Sequence, residues 1–202
     1  MIPNKVNYHR ELEKKYLQWQ EAGVIPSVLL HSCCAPCSST CLESLSRHCM
    51  VTVFYFNPNI TNPDEYAFRL SEQKRLIAQM PFEHPVELIE GRYNPQEFFD
   101  MAEGLEDAPE RGLRCHKCYR ARLAETAKTA DMLKFDYFAT TLTLSPLKPA
   151  DIINEIGMSL SASTEYLPTD FKKNNGYKRS IELSEEYGLY RQNYCGCVYS
   201  KR

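Results

Sequence analysis

The sequence predicts an α/β fold: a mostly parallel sheet with helices on both faces. Three observations lead there. Short apolar or β-branched runs alternate with longer helical stretches, which is the pattern of right-handed βαβ units. The run Val28-Leu29-Leu30 passes directly into a cysteine-rich turn, and Pro36 then suits the first turn of a helix, where its missing N–H costs nothing. No internal repeat, low-complexity tract or linker divides the 202 residues. The expected organisation is therefore one domain over residues 1–202, with a helical extension over 1–25 and an α/β core over 26–200.

Taken in order, residues 7–21 form a charged helix with Leu12, Tyr16 and Trp19 on one face, laid against the sheet's edge and stopped by Gly23. Pro26 opens the first strand, and a helix starting near Ala35 follows. Met50 to Phe56 is β-branched and aromatic, a second strand. Asn62 is the expected N-cap of a helix running to about Met80, with Pro63 just inside it. Val86 to Ile89 is a third strand, and a helix runs from Pro95 towards Ala102. The polar stretch 104–114 is loop, and the next helix starts at Cys115 or Cys118 and runs to Leu133. Phe135 to Thr140 is the fourth strand, residues 150–160 a helix and residues 165–167 the fifth strand. A basic loop, a helix over 178–187 and a tail from Tyr190 to Ser200 close the chain.

Composition narrows the function. Charged residues make up 25% and hydrophobic residues 43%, ordinary for a globular protein, and no run is long enough to span a membrane. With no signal-peptide core at the N-terminus, the expected compartment is the cytoplasm. Nine cysteines in a reducing compartment argue for metal ligation or catalysis rather than a disulfide scaffold. A net charge of −2 gives no sign of non-specific nucleic-acid coating, but leaves room for a local basic patch that docks a folded RNA.

The cysteines fall into clusters. His31-Ser32-Cys33-Cys34-Ala35-Pro36-Cys37 lies where a strand ends and a helix begins, the ligand-binding edge of an open α/β sheet. Arg114-Cys115-His116-Lys117-Cys118 is a Cys-x-x-Cys at a loop-to-helix junction, a spacing that serves zinc, iron–sulfur and redox centres alike. Cys33, Cys34, Cys115 and Cys118 together offer four thiolates. Side chains of adjacent residues diverge, which is awkward around one small ion and suits separate corners of a wider cluster, so iron–sulfur is favoured over structural zinc. Cys195-Gly196-Cys197 permits a small, labile disulfide ring, with Gly196 giving the backbone freedom; the two thiols could equally ligate metal. Cys41 and Cys49 read as packing, and His31 and His116 as loop residues outside the ligand set.

These residues carry a resemblance. Cys-Cys-Ala-Pro-Cys after the first strand, Phe-Asn-Pro-Asn-Ile after the second and Arg-Cys-x-x-Cys-Tyr-x-x-Arg-Leu opening a helix are its first half. Thr-Thr-Leu-x-x-Ser-Pro after the fourth strand and Tyr-Arg-Gln-Asn-Tyr-Cys-Gly-Cys-Val-Tyr-Ser in the tail complete it, over about residues 27–200. The chain resembles the cobalamin-independent epoxyqueuosine reductase family QueH. The resemblance implies a Rossmann-like fold of the nucleotide α-hydrolase-like group, and reduction of epoxyqueuosine to queuosine at the tRNA wobble position. Cysteines replace the phosphate-cradling Gly and Ser residues of ATP-using relatives, so ATP chemistry is not expected.

By the resemblance, Cys33, Cys34, Cys115 and Cys118 hold a 4Fe–4S cluster, Cys195 and Cys197 are the redox-active pair, and Cys37 is a candidate ligand of an additional mononuclear iron. An acidic ligand could join it, but position 94 is Asn, and Asp170 has only its place in the chain to recommend it. The implied partners are tRNA carrying epoxyqueuosine in its anticodon and an electron donor the sequence does not name, with neither membrane nor cobalamin. Expected RNA contacts are Arg114, Arg120, Lys172, Lys173, Arg179, Arg191 and Gln192, with Arg111, Lys117, Arg122 and Lys178 as further cations. Tyr119 and Tyr177 are candidates for base stacking. Two rival readings are a zinc-stabilised binding module and a thiol–disulfide oxidoreductase centred on the tail thiols.

Overall fold

A computed structural model describes residues 6–201. The helices are α1 (Tyr8–Ala22), α2 (Ala35–Leu45), α3 (Pro63–Gln79), α4 (Gln96–Ala102), α5 (Leu113–Leu133), α6 (Ala150–Ser159) and α7 (Gly176–Glu186). The strands are β1 (Ser27–His31), β2 (Met50–Tyr55), β3 (Val86–Glu90), β4 (Tyr137–Thr140) and β5 (Glu165–Tyr166). They form an all-parallel sheet in the order β3-β2-β1-β4-β5, the predicted α/β, Rossmann-like class.

Side-chain alternation along the strands divides the interior into two layers. Val28, Leu30, Val51, Val53 and Ala139 pack with Leu12, Trp19, Leu42, Leu76 and Leu183 from α1, α2, α3 and α7. Leu29, Phe54 and Phe138 point the other way, onto Leu123 and Ala127 of α5 and Ile153 of α6. Helix α1 lies along the β4–β5 edge: the rings of Trp19 and Tyr137 are 5.2 Å apart and Lys15 pairs with Glu165 at 3.1 Å. Asn62 caps α3 as expected, accepting from the backbone N–H groups of Asp64 and Glu65.

The chain departs from β1 towards β2 and β3 on one side, and towards β4 and β5 on the other. The crevice between the carboxyl ends of β1 and β4 is thus the switch point where open α/β sheets bind ligands. Two local differences from the sequence reading bear on it. Helix α5 begins at Leu113, two residues before the earliest expected start, because Arg111 turns the chain at φ 70° and Gly112 is the N-cap. Cys115 is therefore inside the first turn and Cys118 one turn further on, on the same face. After β4, Thr141–Leu144 coil into a 3₁₀ turn, started by Thr140 Oγ1 accepting from the Leu142 N–H at 3.1 Å.

Candidate metal and redox site

The β1–α2 turn is built as a rigid thiol cradle. Ser32 N–H continues the sheet to the Phe54 carbonyl at 3.0 Å, and Asn57 Nδ2 donates to the Ser32 carbonyl at 2.8 Å. The hydroxyls of Ser32 and Ser38 both meet Gln73 Oε1 of α3, at 2.7 and 2.5 Å. Held this way, Cys33, Cys34 and Cys37 bring their sulfurs within 4.8 Å of one another. The expected divergence of the adjacent thiols is corrected: Cys33 and Cys34 Sγ are 3.7 Å apart. The reason is that Cys34 caps α2 in an extended conformation and Cys33 sits at the bend before it, so the strand's alternation has already ended.

Across the crevice, Cys33 Sγ is 3.7 Å from Thr141 Oγ1, just past β4. A cavity of about 190 Å³ opens here, and its wall includes Cys33, Cys37, Cys115, Cys118, Cys195 and Cys197. Thiols from three distant stretches of sequence thus share one space. All nine cysteines are free thiols. Cys41 and Cys49 are fully buried and donate to the Cys37 and Leu45 carbonyls, so they are packing, as the sequence suggested. His31 is also fully buried, between Thr140 Oγ1 at 2.9 Å and the Phe56 carbonyl at 3.1 Å, and burial lowers its pKa to about 3. It is a core group with both ring nitrogens engaged within the protein.

The tail is fixed by residues far away in the chain. Arg69 of α3, 1% exposed, donates to the carbonyls of Cys195 and Tyr194 at 3.3 and 3.4 Å and pairs with Glu65 at 2.7 Å. Asn59 Nδ2 also donates to the Cys195 carbonyl, at 3.3 Å, and the Thr61 N–H to that of Gly196, at 3.2 Å. Gly196 has φ 106°, and a Cβ there would meet Ile60 Cγ1 at 2.8 Å, so the turn between the two thiols requires glycine. The Cys195 thiol is 3.0 Å from Ser200 Oγ. Hydrogen bonds from Cys197 and Ser200 hold Cys195 well below the ordinary thiol range against its burial, while Cys197 is pushed up by the same pairing.

Around β1 the thiols titrate as a unit. Hydrogen bonds from Cys34 and Cys37 hold Cys33 well below the thiol range, while Cys34 is pushed up to about 12 by its bond to Cys33 and Cys37 well up by both. A buried and a half-buried cation balance the negative charge. Arg122 of α5 stays charged against its burial because Cys118, Cys33 and Cys195 surround it. Lys148, after the 3₁₀ turn, does so through Cys33, Cys37 and Cys195. Neither Arg69 nor Lys148 is visible as a site residue in the sequence, since each is placed by folding rather than by a motif.

Several expected RNA contacts are committed elsewhere. Arg114 is 3% exposed and its Nη1 donates to the carbonyls of Leu105, Glu106 and Ala108, which makes it a clamp on that loop beside the cavity. Arg179 holds Glu43 of α2 at 2.7 Å and also pairs with Glu182. Arg120 reaches Ser159 on α6, outside the cavity wall, and Lys172 pairs with Asp170 at 2.5 Å. Asp170 lines an adjoining groove and not the thiol cavity. Tyr119 is buried, 4% exposed, in the wall of the thiol cavity. Arg191, Gln192 and the exposed Tyr177 do line the cavity, and Lys173 is exposed beside it.

The donor set fits a metal centre held by thiolates. Soft thiolates select zinc or iron–sulfur clusters, and a cluster held by thiolates carries negative charge that Arg122 and Lys148 would balance. Arg114 Nε and Gln192 Oε1, which line the same cavity, are buried with no hydrogen-bond partner among the described residues.

Comparison with known proteins gives the family. A family model described as epoxyqueuosine reductase QueH matches residues 28–202. The protein of that name from Streptococcus pyogenes serotype M1 is 44% identical over 207 residues, covering 100% of this chain and 81% of that protein. The one from Staphylococcus epidermidis is 44% identical over 206 residues, covering 99% and 87%. That from Thermotoga maritima is 30% identical over 179 residues, covering 86% and 90%. The two nearly full-length matches include helix α1, which the resemblance had left outside.

Proposed function

The chain belongs to the epoxyqueuosine reductase QueH family, and from that premise we propose that it reduces epoxyqueuosine to queuosine in the anticodon of tRNA. It is an oxidoreductase. No helix among the described residues is long and apolar enough to cross a membrane. We place the reaction in the cytoplasm, where free thiols persist.

The observation that carries this reading is the convergence of Cys33, Cys37, Cys115, Cys118, Cys195 and Cys197 on one cavity at the sheet's switch point. In the reading, Cys33, Cys34, Cys115 and Cys118 would hold a 4Fe–4S cluster and Cys37 would ligate an additional iron. When bound, such a centre would supply electrons one at a time and Lewis acidity towards an epoxide oxygen.

The chain's own residues do the rest. Removing the epoxide oxygen as water consumes two electrons and two protons. Oxidation of the Cys195 thiolate and the Cys197 thiol to a disulfide releases two electrons and one proton, so with a second proton from solvent the pair balances one turnover before an external donor reduces it. Cys195 enters as the nucleophilic partner because Cys197 and Ser200 stabilise its thiolate, and Cys197 retains the proton. Gln192 presents an unpartnered Oε1 to a polar edge of the substrate. Tyr177, with the Arg191 guanidinium 5.9 Å from its ring centroid, offers a stacking face at the mouth.

The test is anaerobic turnover of epoxyqueuosine-containing tRNA, followed by nucleoside mass spectrometry. Loss of 16 mass units from the modified nucleoside, about the mass of one oxygen atom, supports the reading. An unchanged nucleoside with iron-loaded, chemically reduced protein overturns it.

A further inference from the structure

A second and wider groove, about 640 Å³, adjoins the thiol cavity, and the two share Arg111, Pro146, Leu147 and Lys148 as a common wall. Its remaining lining includes His116, Lys172 and Lys173. Basic groups outnumber the two carboxylates there, Asp151 and Asp170, and Asp170 is already neutralised by Lys172 at 2.5 Å. His116 has its Nε2 buried with no hydrogen-bond partner among the described residues. The N-terminus of α5, whose cap Gly112 offers no side-chain hydrogen bond, begins beside this wall, between Arg111 and His116. A strand of polyanion leaving the thiol cavity thus meets positive charge first at Lys148 and Arg111 and then at Lys173.

We propose that this groove seats the ribose–phosphate backbone flanking the reacting nucleotide, with Lys148 at the phosphate nearest the reacting base. The proposal rests on the tRNA reading and adds the path of the strand. It assigns Lys148 two roles through one position: it closes the charge around the thiols and fixes the nucleotide that enters between them. The basic residues tied up in ion pairs on α7, Arg179 above all, lie off this path.

The test uses iron-loaded protein and an anticodon stem-loop RNA, with affinity measured across a series of salt concentrations. Single-stranded RNA loses about 0.7 from the slope of log K against log salt for each phosphate contact removed. Lys148→Gln and Lys173→Gln are each expected to weaken binding several-fold and to shallow the slope by about that amount. Lys128→Gln, exposed on α5 and about 18 Å along the helix from His116, is expected to leave both unchanged. Absorbance of the bound centre reports whether each variant has folded and loaded. Wild-type affinity and slope in both loaded groove variants overturn the proposal, whatever the reductase assay shows. Wild-type protein that binds RNA with this salt dependence and yet never reduces it overturns the reductase reading and leaves the groove standing.

Discussion

The guanidinium of Arg69, buried on α3, donates to the carbonyl of Cys195, 126 residues further along the chain, at 3.3 Å. The same group pairs with Glu65 and lies 5.2 Å from the Tyr194 ring centroid. A helix that carries no cysteine therefore sets where the tail thiols stand. Replacing Arg69 with Met leaves Glu65 without its partner and the Cys195 carbonyl without one of its donors. We expect a loss of about 3 kcal/mol, read from urea unfolding, and reductase activity lost out of proportion to the unfolded fraction.

Gly196→Ala tests the turn itself. Its φ of 106° and the 2.8 Å approach to Ile60 Cγ1 forbid a side chain without movement. A strain of about 1–3 kcal/mol is expected, taken up by shifting the tail rather than the sheet. Iron content should stay at the wild-type level while turnover falls by tenfold or more, on the order of the strain. Wild-type turnover would show that the tail geometry is not needed.

Two cysteine substitutions separate the two thiol roles. Cys33→Ser should lose iron and colour together, since Cys33 lies within the three-thiol group and at the cavity wall. Cys195→Ser should keep the metal and fail in multiple turnover. Iron analysis and nucleoside mass spectrometry on both proteins check this, and full turnover by Cys195→Ser removes the tail thiol from the mechanism.

Acid should loosen the tail before the core. Glu72 accepts from the Tyr190 N–H at 3.0 Å and pairs with Arg75, which also holds the Tyr187 and Gly188 carbonyls. The hydrogen bonds from Arg75 hold the Glu72 carboxyl below its ordinary value of 4.5. A depressed folded value means this stabilisation is fully present above about pH 4.5 and is lost as pH falls through the depressed value. Glu72→Gln should therefore be less stable than wild type at neutral pH and show a smaller further loss below pH 4.5. Urea midpoints at pH 7 and pH 3.5 decide it, and parallel losses in both proteins count against the linkage.

Much of this molecule can be read from its sequence, for identifiable reasons. Apolar runs such as Val28–Leu30 and caps such as Asn62 are local signals, and they place strands and helices within a residue or two. The start of α5 is poorly marked in the sequence because the left-handed turn falls on Arg111 and not on its neighbour Gly112, which is the N-cap. Cysteine motifs announce the centre but not its geometry at Cys33 and Cys34, where the chain bends between strand and helix and the sulfurs stand 3.7 Å apart. The basic residues were the least legible. Arg114 and Arg179 look like phosphate contacts until the fold supplies their carbonyl and carboxylate partners. Arg69 and Lys148 look ordinary until the fold brings them to the thiols.

The account stands on thiols from distant segments holding iron at one mouth of the sheet. Iron and acid-labile sulfide should be measured on anaerobically purified protein, with the same sample then assayed on epoxyqueuosine-containing tRNA. We predict brown protein with about four or five iron atoms and about four sulfides per chain, and activity that disappears with the iron. A colourless zinc protein, or one that reduces the epoxide equally well after its iron is stripped, would contradict it.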